Sequence, residues 1–138
     1  MYKALFLSSR IRELGNNFII SKLKENGYGE LSPSHGDILV VLYKNNQLTM
    51  KEIADRIHRT KATLTVLVDK LEKLDLVKRK KLSEDTRITY ITLTKKGESL
   101  KPVFEKISNE LNSMLYKNLS KEEAEQLDYL LEKMLKTQ

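Results

Sequence analysis

One segment of this chain favours β-strands, whereas most of the sequence favours helices. The runs Val77 to Leu82 and Ile88 to Leu93 are rich in residues that suit strands, and they flank the polar loop Ser-Glu-Asp-Thr-Arg. Two such runs separated by a few polar residues predict a β-hairpin. The first run, "VKRKKL", carries four consecutive cations. A single charged hairpin among helices narrows the possible folds considerably.

The segment directly before the hairpin predicts two short helices joined by a tight turn. Thr49 precedes Glu52 by three residues, the spacing of a capping box, and an apolar stripe follows. Thr60 can cap a second helix. Its inward positions are Leu64, Leu67, Val68, Leu71 and Leu74. Because the second helix leaves threonine and lysine for its outer face, the pair predicts a helix-turn-helix, and the hairpin is then its wing.

The rest of the chain predicts further helices on either side of this lobe. Apolar residues recur at helical spacing from Leu5 to Leu23, and Ser32 with Pro33 forms a helix start. A long helix begins after Thr94, and we expect a kink or a break into two pieces near Pro102. Ser120 opens the last helix. The expected fold is mainly α with a small β-hairpin wing: a winged helix-turn-helix lobe over residues 32–97, with a helical dimerisation stalk over residues 1–30 and 98–138.

Length and composition indicate one domain without cysteine chemistry. The 138 residues are 40% hydrophobic, which is enough for one core. The longest apolar run, Ile38 to Leu42, is far shorter than the roughly 18 residues of a membrane span, so we expect a soluble, cytoplasmic protein. The chain has no cysteine, which excludes disulfides and thiolate metal sites. Its two histidines lack metal-ligand spacing, so we expect no metal and no cofactor.

The positive charge of the chain is concentrated in one segment. From Arg56 to Lys96 there are twelve lysine or arginine residues against five acidic ones, whereas the whole chain has a net charge of +6. This concentration favours a polyanionic partner. A solvated lysine face is the simpler alternative, and the cations of the first hairpin strand could instead protect an exposed sheet edge. Tyr90 is the only aromatic residue in this segment, which disfavours the binding of single-stranded RNA.

The two terminal helices predict a second chain as partner. Their apolar stripes would expose a large hydrophobic surface unless they are covered. We expect a homodimer stalk, and the alternative is that these helices fold back onto their own chain. The residues expected in the dimer interface are Tyr2, Leu5, Phe6, Leu127, Leu130, Leu131 and Met134.

Two stretches resemble the multiple-antibiotic-resistance regulator (MarR) family of bacterial winged-helix transcription factors. In "LEKLDLVKRKKLSEDTRITYITLTKKG" the family's D-x-R wing pattern falls on Asp85 and Arg87, and its L-T-x-x-G pattern falls on Leu93, Thr94 and Gly97. The stretch "LTMKEIADRIHRTKATLTVLVDKLE" is similar to the family's supporting and recognition helices. The resemblance implies a homodimer on a pseudo-palindromic operator, usually a repressor released by a small molecule, oxidation or metal. Without cysteine, the chain cannot follow the mechanism of the peroxide-sensing members.

The resemblance also implies roles for individual residues. On the recognition helix the candidates for groove contact are Thr60, Lys61, Ala62, Thr63, Thr65, Val66 and Lys70. On the wing they are Lys80, Lys81, Asp85, Thr86 and Arg87, where Arg87 is expected in the minor groove and Asp85 orients its guanidinium. For phosphate contacts they are His58, Arg59, Lys78 and Arg79. The chain departs from the family pattern at Val66 and Thr86, where arginine is frequent among relatives, and at Asp75, where glycine is frequent and where Asp tolerates the left-handed conformation.

The resemblance also implies a site for a small apolar or aromatic effector at the junction between stalk and lobe, although such helix junctions are more often core than pocket. The candidates are Phe18, Leu23, His35, Ile38, Leu39, Val103 and Phe104. His35 is also explained as a structural histidine. No phosphate-binding glycine loop and no nucleophile elbow are present, so we expect no enzyme activity. A winged-helix adaptor that binds another protein is the alternative function.

Overall fold

A computed structural model of the chain describes residues 1–81 and 87–136. Within these ranges the elements, in chain order, are α1 (Ala4–Glu25), α2 (Pro33–Lys44), β1 (Gln47–Thr49), α3 (Met50–Ile57), α4 (Lys61–Lys73), β2 (Val77–Lys80), β3 (Tyr90–Leu93), α5 (Lys95–Ser99), α6 (Lys101–Tyr116) and α7 (Lys121–Leu135). The predicted fold class, a mainly helical chain with a small winged helix-turn-helix sheet, is confirmed.

Side-chain caps set the starts of the helices that were predicted from polar residues. Ser32, Thr49 and Ser120 each accept a hydrogen bond from a backbone N–H three residues later, and each belongs to a reciprocal capping box. Thr60 caps α4 by accepting from the backbone N–H of Thr63. These bonds satisfy N–H groups that a helix cannot pair internally, which is why the predicted boundaries of α2, α3, α4 and α7 are confirmed.

The wing hairpin belongs to a three-stranded antiparallel sheet. β3 lies in the centre, between β1 and β2, and Ile91 pairs with Leu48 on one side and with Arg79 on the other. The hairpin is therefore confirmed, and its cationic strand β2 is an edge strand. Both wing strands are shorter than predicted, since β2 ends at Lys80 and β3 begins at Tyr90. The sequence did not predict β1.

The predicted break at Pro102 is confirmed. Helix α5 ends at Ser99 and α6 begins at Lys101, with Leu100 between them. Pro102 then lies in the first turn of α6, where a missing backbone N–H costs no intrahelical bond.

Hydrogen bonds tie the segment that follows the wing to the end of α4 and to α2. Asp75 adopts the expected left-handed conformation, with φ of 60°, and turns the chain into β2. The Thr94 hydroxyl donates to the Asp75 carbonyl (2.7 Å), and the Thr94 N–H donates to the Leu76 carbonyl (3.1 Å). The Tyr43 hydroxyl of α2 donates to the Gly97 carbonyl (2.8 Å). A Cβ at Gly97 would lie 2.1 Å from the Leu76 carbonyl oxygen, which explains the glycine of the L-T-x-x-G pattern.

The core lies between α2, α3, α4 and the sheet, and α6 closes it. The fully buried large side chains are Leu23, Ile38, Leu39, Leu42, Ile53, Leu64, Val68, Leu71, Leu76, Val77 and Ile91. Phe104 and Ile107 of α6 are also buried. Most of these residues belong to the lobe, so its surface rests on a well-packed support.

The terminal helices contribute little to this core. Among the described residues, only Gly15 and Leu23 of α1 are buried, and α7 buries none. An ion pair between Lys22 and Glu110 (3.0 Å) fastens α1 to α6, and this pairing raises the pKa of Lys22. Among the described residues, no helix is long and apolar enough to cross a membrane.

Candidate nucleic-acid interface

Helix α4 presents the predicted recognition surface to solvent. Its buried positions Leu64, Val68 and Leu71 face the core. The exposed positions on the remaining faces are Lys61, Ala62, Thr63, Thr65, Val66 and Lys70, and the cap residue Thr60 is exposed as well. Val66 is 69% exposed, so its apolar side chain is accessible from solvent.

The hydroxyl groups of this helix are arranged by bonds within the helix. The Thr60 hydroxyl donates to the Thr63 hydroxyl oxygen (3.0 Å), and the Thr65 hydroxyl donates to the Lys61 carbonyl (2.9 Å). Thr65 is a candidate for groove contact, and its hydroxyl hydrogen is already used within the helix. It therefore presents an acceptor oxygen and a methyl group, whereas Thr63 retains its hydrogen for donation.

The turn between α3 and α4 is tight because His58 adopts the left-handed conformation, with φ of 55°. This places the exposed His58 imidazole at the outer end of α3. Arg59 follows, and its guanidinium donates to the Ser34 hydroxyl of α2 (3.5 Å) and to the His58 carbonyl (3.4 Å). His58 is thus displayed outward, while Arg59 extends along the lobe towards α2.

Arg87 and the recognition helix border the same groove. The groove has a volume of about 400 Å³. Its lining residues are Thr49, Met50, Lys51, Lys61, Arg87, Ile88, Thr89 and Tyr90. Lys51 of α3, Lys61 of α4 and Arg87 of the wing therefore lie around one concave surface, and all three are exposed. Sequence reasoning missed Lys51, since it lies outside the cationic segment.

The two faces of β2 carry cations with different environments. Lys78 and Lys80 are exposed on the outer face, and Lys81 is exposed just beyond the strand. This exposure suits the predicted phosphate contact of Lys78 and the predicted wing contacts of Lys80 and Lys81. Asp85 and Thr86, which were predicted for the wing, lie outside the described residues. The predicted orientation of Arg87 by Asp85 therefore stays a prediction.

Arg79, which was predicted as a phosphate contact, is paired within the protein. Its side chain lies on the inner face of β2, where it donates to Asp69 (2.6 Å) and to Glu72 of α4. The hydrogen bond to Asp69 is the main cause of the raised pKa of Arg79, and the charges of Asp69 and Glu72 act in the same direction. Both terminal nitrogens of the guanidinium are thus paired with carboxylates of α4, and the phosphate contact by Arg79 stays a prediction. The alternation of β2, with Val77 and Arg79 on one face, could have shown this inward direction beforehand.

The candidate effector residues do not surround one cavity. Leu23, Ile38 and Leu39 have no exposed surface and belong to the core. His35 serves the α2 capping box, in which its Nδ1 accepts from the Ser32 N–H (2.9 Å). Burial lowers the pKa of His35, and the charge of Lys70 acts in the same direction, which favours the neutral imidazole that this bond requires.

Phe104 is the candidate that does line a groove. It borders a groove of about 410 Å³ between α2 and α6, with Gly36, Val40 and Ile107 on the apolar side and Asp37 and Arg56 on the polar side. Loss of solvent around the carboxyl raises the pKa of Asp37. Phe18 lies on α1 and contacts Lys22, whose ammonium is over the ring at 5.4 Å from its centroid.

The family model of the MarR family matches residues 31–89, which include the helix-turn-helix and the wing. The HTH-type transcriptional regulator MhqR of Bacillus subtilis is 29% identical over 133 residues, which cover 96% of this chain and 89% of MhqR. In the crystal structure of the Staphylococcus aureus MepR–DNA complex, the protein chain is 30% identical in sequence to this chain. The alignment covers 100% of both chains, and the two structures superpose with a TM-score of 0.89. The chain belongs to the MarR family. A mutant MarR of Escherichia coli complexed with operator DNA, 22% identical with a TM-score of 0.82 over 94% of this chain and 91% of that one, adds agreement of fold.

MarR-family proteins are DNA-binding transcriptional regulators, and at this level the predicted function class is confirmed. The relatives found are regulators rather than enzymes. Within the MarR-family fold, the lobe brings Lys61 of α4 to the same groove as Lys51 and Arg87, and it directs Arg79 towards α4.

Proposed function

We propose that this MarR-family chain acts as a homodimer that binds a pseudo-palindromic operator in double-stranded DNA. The observation that carries this proposal is the shared groove in which Lys51, Lys61 and Arg87 meet beside the exposed face of α4. Cations from three different elements around one surface match the shape and charge of a DNA backbone. Relatives such as MepR are bound to DNA in their crystal structures, which supports the same mode here.

In this proposal α4 enters the major groove and the wing follows the backbone into the minor groove. Ala62 and Val66 meet thymine methyl groups, while Thr63 donates to a base or a phosphate. Arg87 inserts into a narrow minor groove, where the negative potential is strongest. His58, Lys78, Lys80 and Lys81 contact phosphates, which fix the register without reading sequence.

The proposed dimer forms through the stalk. Helices α1, α6 and α7 of one chain leave an open apolar groove of about 640 Å³, and Ile11, Leu14, Leu127, Leu130 and Met134 are among its lining residues. A second copy of the chain would cover this surface. Dyad symmetry then sets the two recognition helices in successive major grooves, roughly 34 Å apart.

The proposed output is repression, with release by a small apolar or aromatic effector. The groove between α2 and α6 joins the stalk to the lobe, and its wall combines Phe104 and Val40 with the charged Arg56 and Asp37. A ligand there would contact both parts of the chain and could change their relative orientation. As an operator-bound repressor, the protein would act in the cytoplasm.

Titration of duplex binding against salt tests the proposed function. The probes are duplexes selected from a random pool and the same duplexes with scrambled sequence. We expect affinity to fall steeply with salt, and a residual preference for a palindrome at every salt concentration. Affinity that is independent of salt, without preference for any duplex, would instead favour an adaptor that binds another protein.

A further inference from the structure

We infer that Arg79 is a positioning residue, which fixes the wing relative to the recognition helix without contacting DNA. This inference rests on the proposed function, because it concerns how the same DNA-binding surface is held in shape. The contacts concerned are the ion pairs of Arg79 in β2 with Asp69 and Glu72 in α4, which we call the Arg79 fork.

The geometry of the fork ties the two elements together at two points. Asp69 and Glu72 are three residues apart on α4 and therefore lie on neighbouring turns of one face. One guanidinium nitrogen of Arg79 donates to Asp69 (2.6 Å), and the other donates to Glu72. A planar guanidinium that bridges two carboxylates fixes both distance and orientation, which a single lysine charge cannot do.

The position of β2 controls the position of Arg87. β2 pairs with β3, and Lys80 lies opposite Tyr90, three residues after Arg87. A shift of β2 relative to α4 therefore carries the start of β3, and Arg87 with it, away from Lys61 across the shared groove. By holding β2 on α4, Arg79 sets the spacing between the part of the protein in the major groove and the part in the minor groove.

The fork also compensates part of the negative charge that Asp69 and Glu72 place on α4. Asp69 and Glu72 have side chains that are 61% and 41% exposed, so two carboxylates lie on a helix that is to approach phosphates. Arg79, whose side chain is only 31% exposed, compensates part of this charge from within the protein. Two alternative roles predict different behaviour: a phosphate contact by Arg79, and a general contribution of its charge.

A double-mutant cycle separates these roles. The variants are Arg79→Gln, Asp69→Ala/Glu72→Ala and the combination of all three, with Lys80→Gln on the outer face of the same strand as matched control. Binding of each variant to one selected operator duplex is measured over a range of salt concentrations. Thermal unfolding of each variant is followed by circular dichroism to check that it is folded. Arg79→Lys is the conservative variant, because a lysine retains the positive charge but can pair with only one of the two carboxylates.

We expect Arg79→Gln to weaken operator binding by about fivefold or more, with an unchanged slope of log affinity against log salt. Lys80→Gln should instead lower that slope by about 0.9, because one phosphate contact is lost. Asp69→Ala/Glu72→Ala should also weaken binding, although the removal of two acidic groups would by charge alone strengthen it. In that background, Arg79→Gln should cost little more, and Arg79→Lys should bind with intermediate affinity in the otherwise unchanged chain.

Two results would overturn the inference. If Arg79→Gln costs the same affinity in both backgrounds and lowers the salt slope, Arg79 contacts phosphate directly. If the removal of both acidic groups strengthens binding, the charge of α4 matters more than its connection to the wing. A wild-type chain that binds no duplex would refute the proposed function itself, a result distinct from both.

Discussion

At the scale of single residues, burial and direction decide what a charge does. Lys78, Arg79 and Lys80 are consecutive cations that look equivalent in sequence, yet only Arg79 points to α4. The alternation of a strand predicts two faces, but it does not show which acidic groups lie across the gap. The exposed positions of α4 could be predicted because they follow from the apolar face of the helix, whereas the use of the Thr65 hydrogen within its own helix could not.

We predict that Arg87→Ala weakens operator binding by about 1 to 3 kcal/mol and leaves dimerisation intact. Arg87 is exposed beside the groove that it shares with Lys61, far from the apolar stalk in the chain's architecture. Fluorescence anisotropy with a labelled operator at one salt concentration measures the loss. Lys117→Ala, which removes an exposed charge at the end of α6, is the control and should bind normally. An unchanged dissociation constant for Arg87→Ala would contradict the assignment.

At the scale of elements, the helices were predictable and the sheet was only partly so. Capping residues such as Thr49 and Ser120 mark helix starts locally, so the sequence alone locates them. Strand β1 has only three residues, Gln47 to Thr49, and is held by pairing with β3, more than forty residues later. No local pattern indicates such a strand, because its stability comes from the partner strand. The fork from Arg79 to α4 is missed for the same reason.

Gly97→Ala should separate α5 from the base of the wing. The added methyl group would lie 2.1 Å from the Leu76 carbonyl oxygen, so the backbone must move. We expect a loss of about 1 to 3 kcal/mol in the free energy of unfolding, measured with urea. Gly29→Ala is the matched control, because its methyl group would meet only Lys24 at ordinary contact distances of 3.7 Å or more. Equal stability of the two variants would show that this close approach is not required.

At the scale of the whole molecule, the single chain has a complete lobe and an incomplete stalk. The lobe buries most of its apolar residues, whereas Leu5 and Phe6 of α1 are 84% and 59% exposed. Helix α7 likewise leaves Leu130, Leu131 and Met134 exposed. The alternative that the terminal helices fold back and cover their own apolar faces is not what the structure shows. A second chain remains the partner that we propose for this surface.

Leu130→Glu should therefore yield monomers. A charge in an apolar interface lacks a partner on either chain, so we expect the dimer dissociation constant to rise by about 100-fold or more. Light scattering on a size-exclusion column measures the mass directly. Tyr129→Glu adds the same charge at a neighbouring position that is 61% exposed and does not line the apolar groove, and it should remain dimeric. If the wild-type chain is monomeric at micromolar concentration, the proposed stalk is wrong.

The proposal that a homodimer binds both half-sites of one operator is tested most directly by changing the spacing between the half-sites. The measurement is the affinity for a selected operator and for the same operator with about five base pairs inserted at its centre, which turns one half-site to the opposite face of the duplex. Two recognition helices held by one stalk predict that the insertion reduces affinity to the level of scrambled DNA. Equal affinity for the two duplexes would mean that each lobe binds independently, and it would contradict the account.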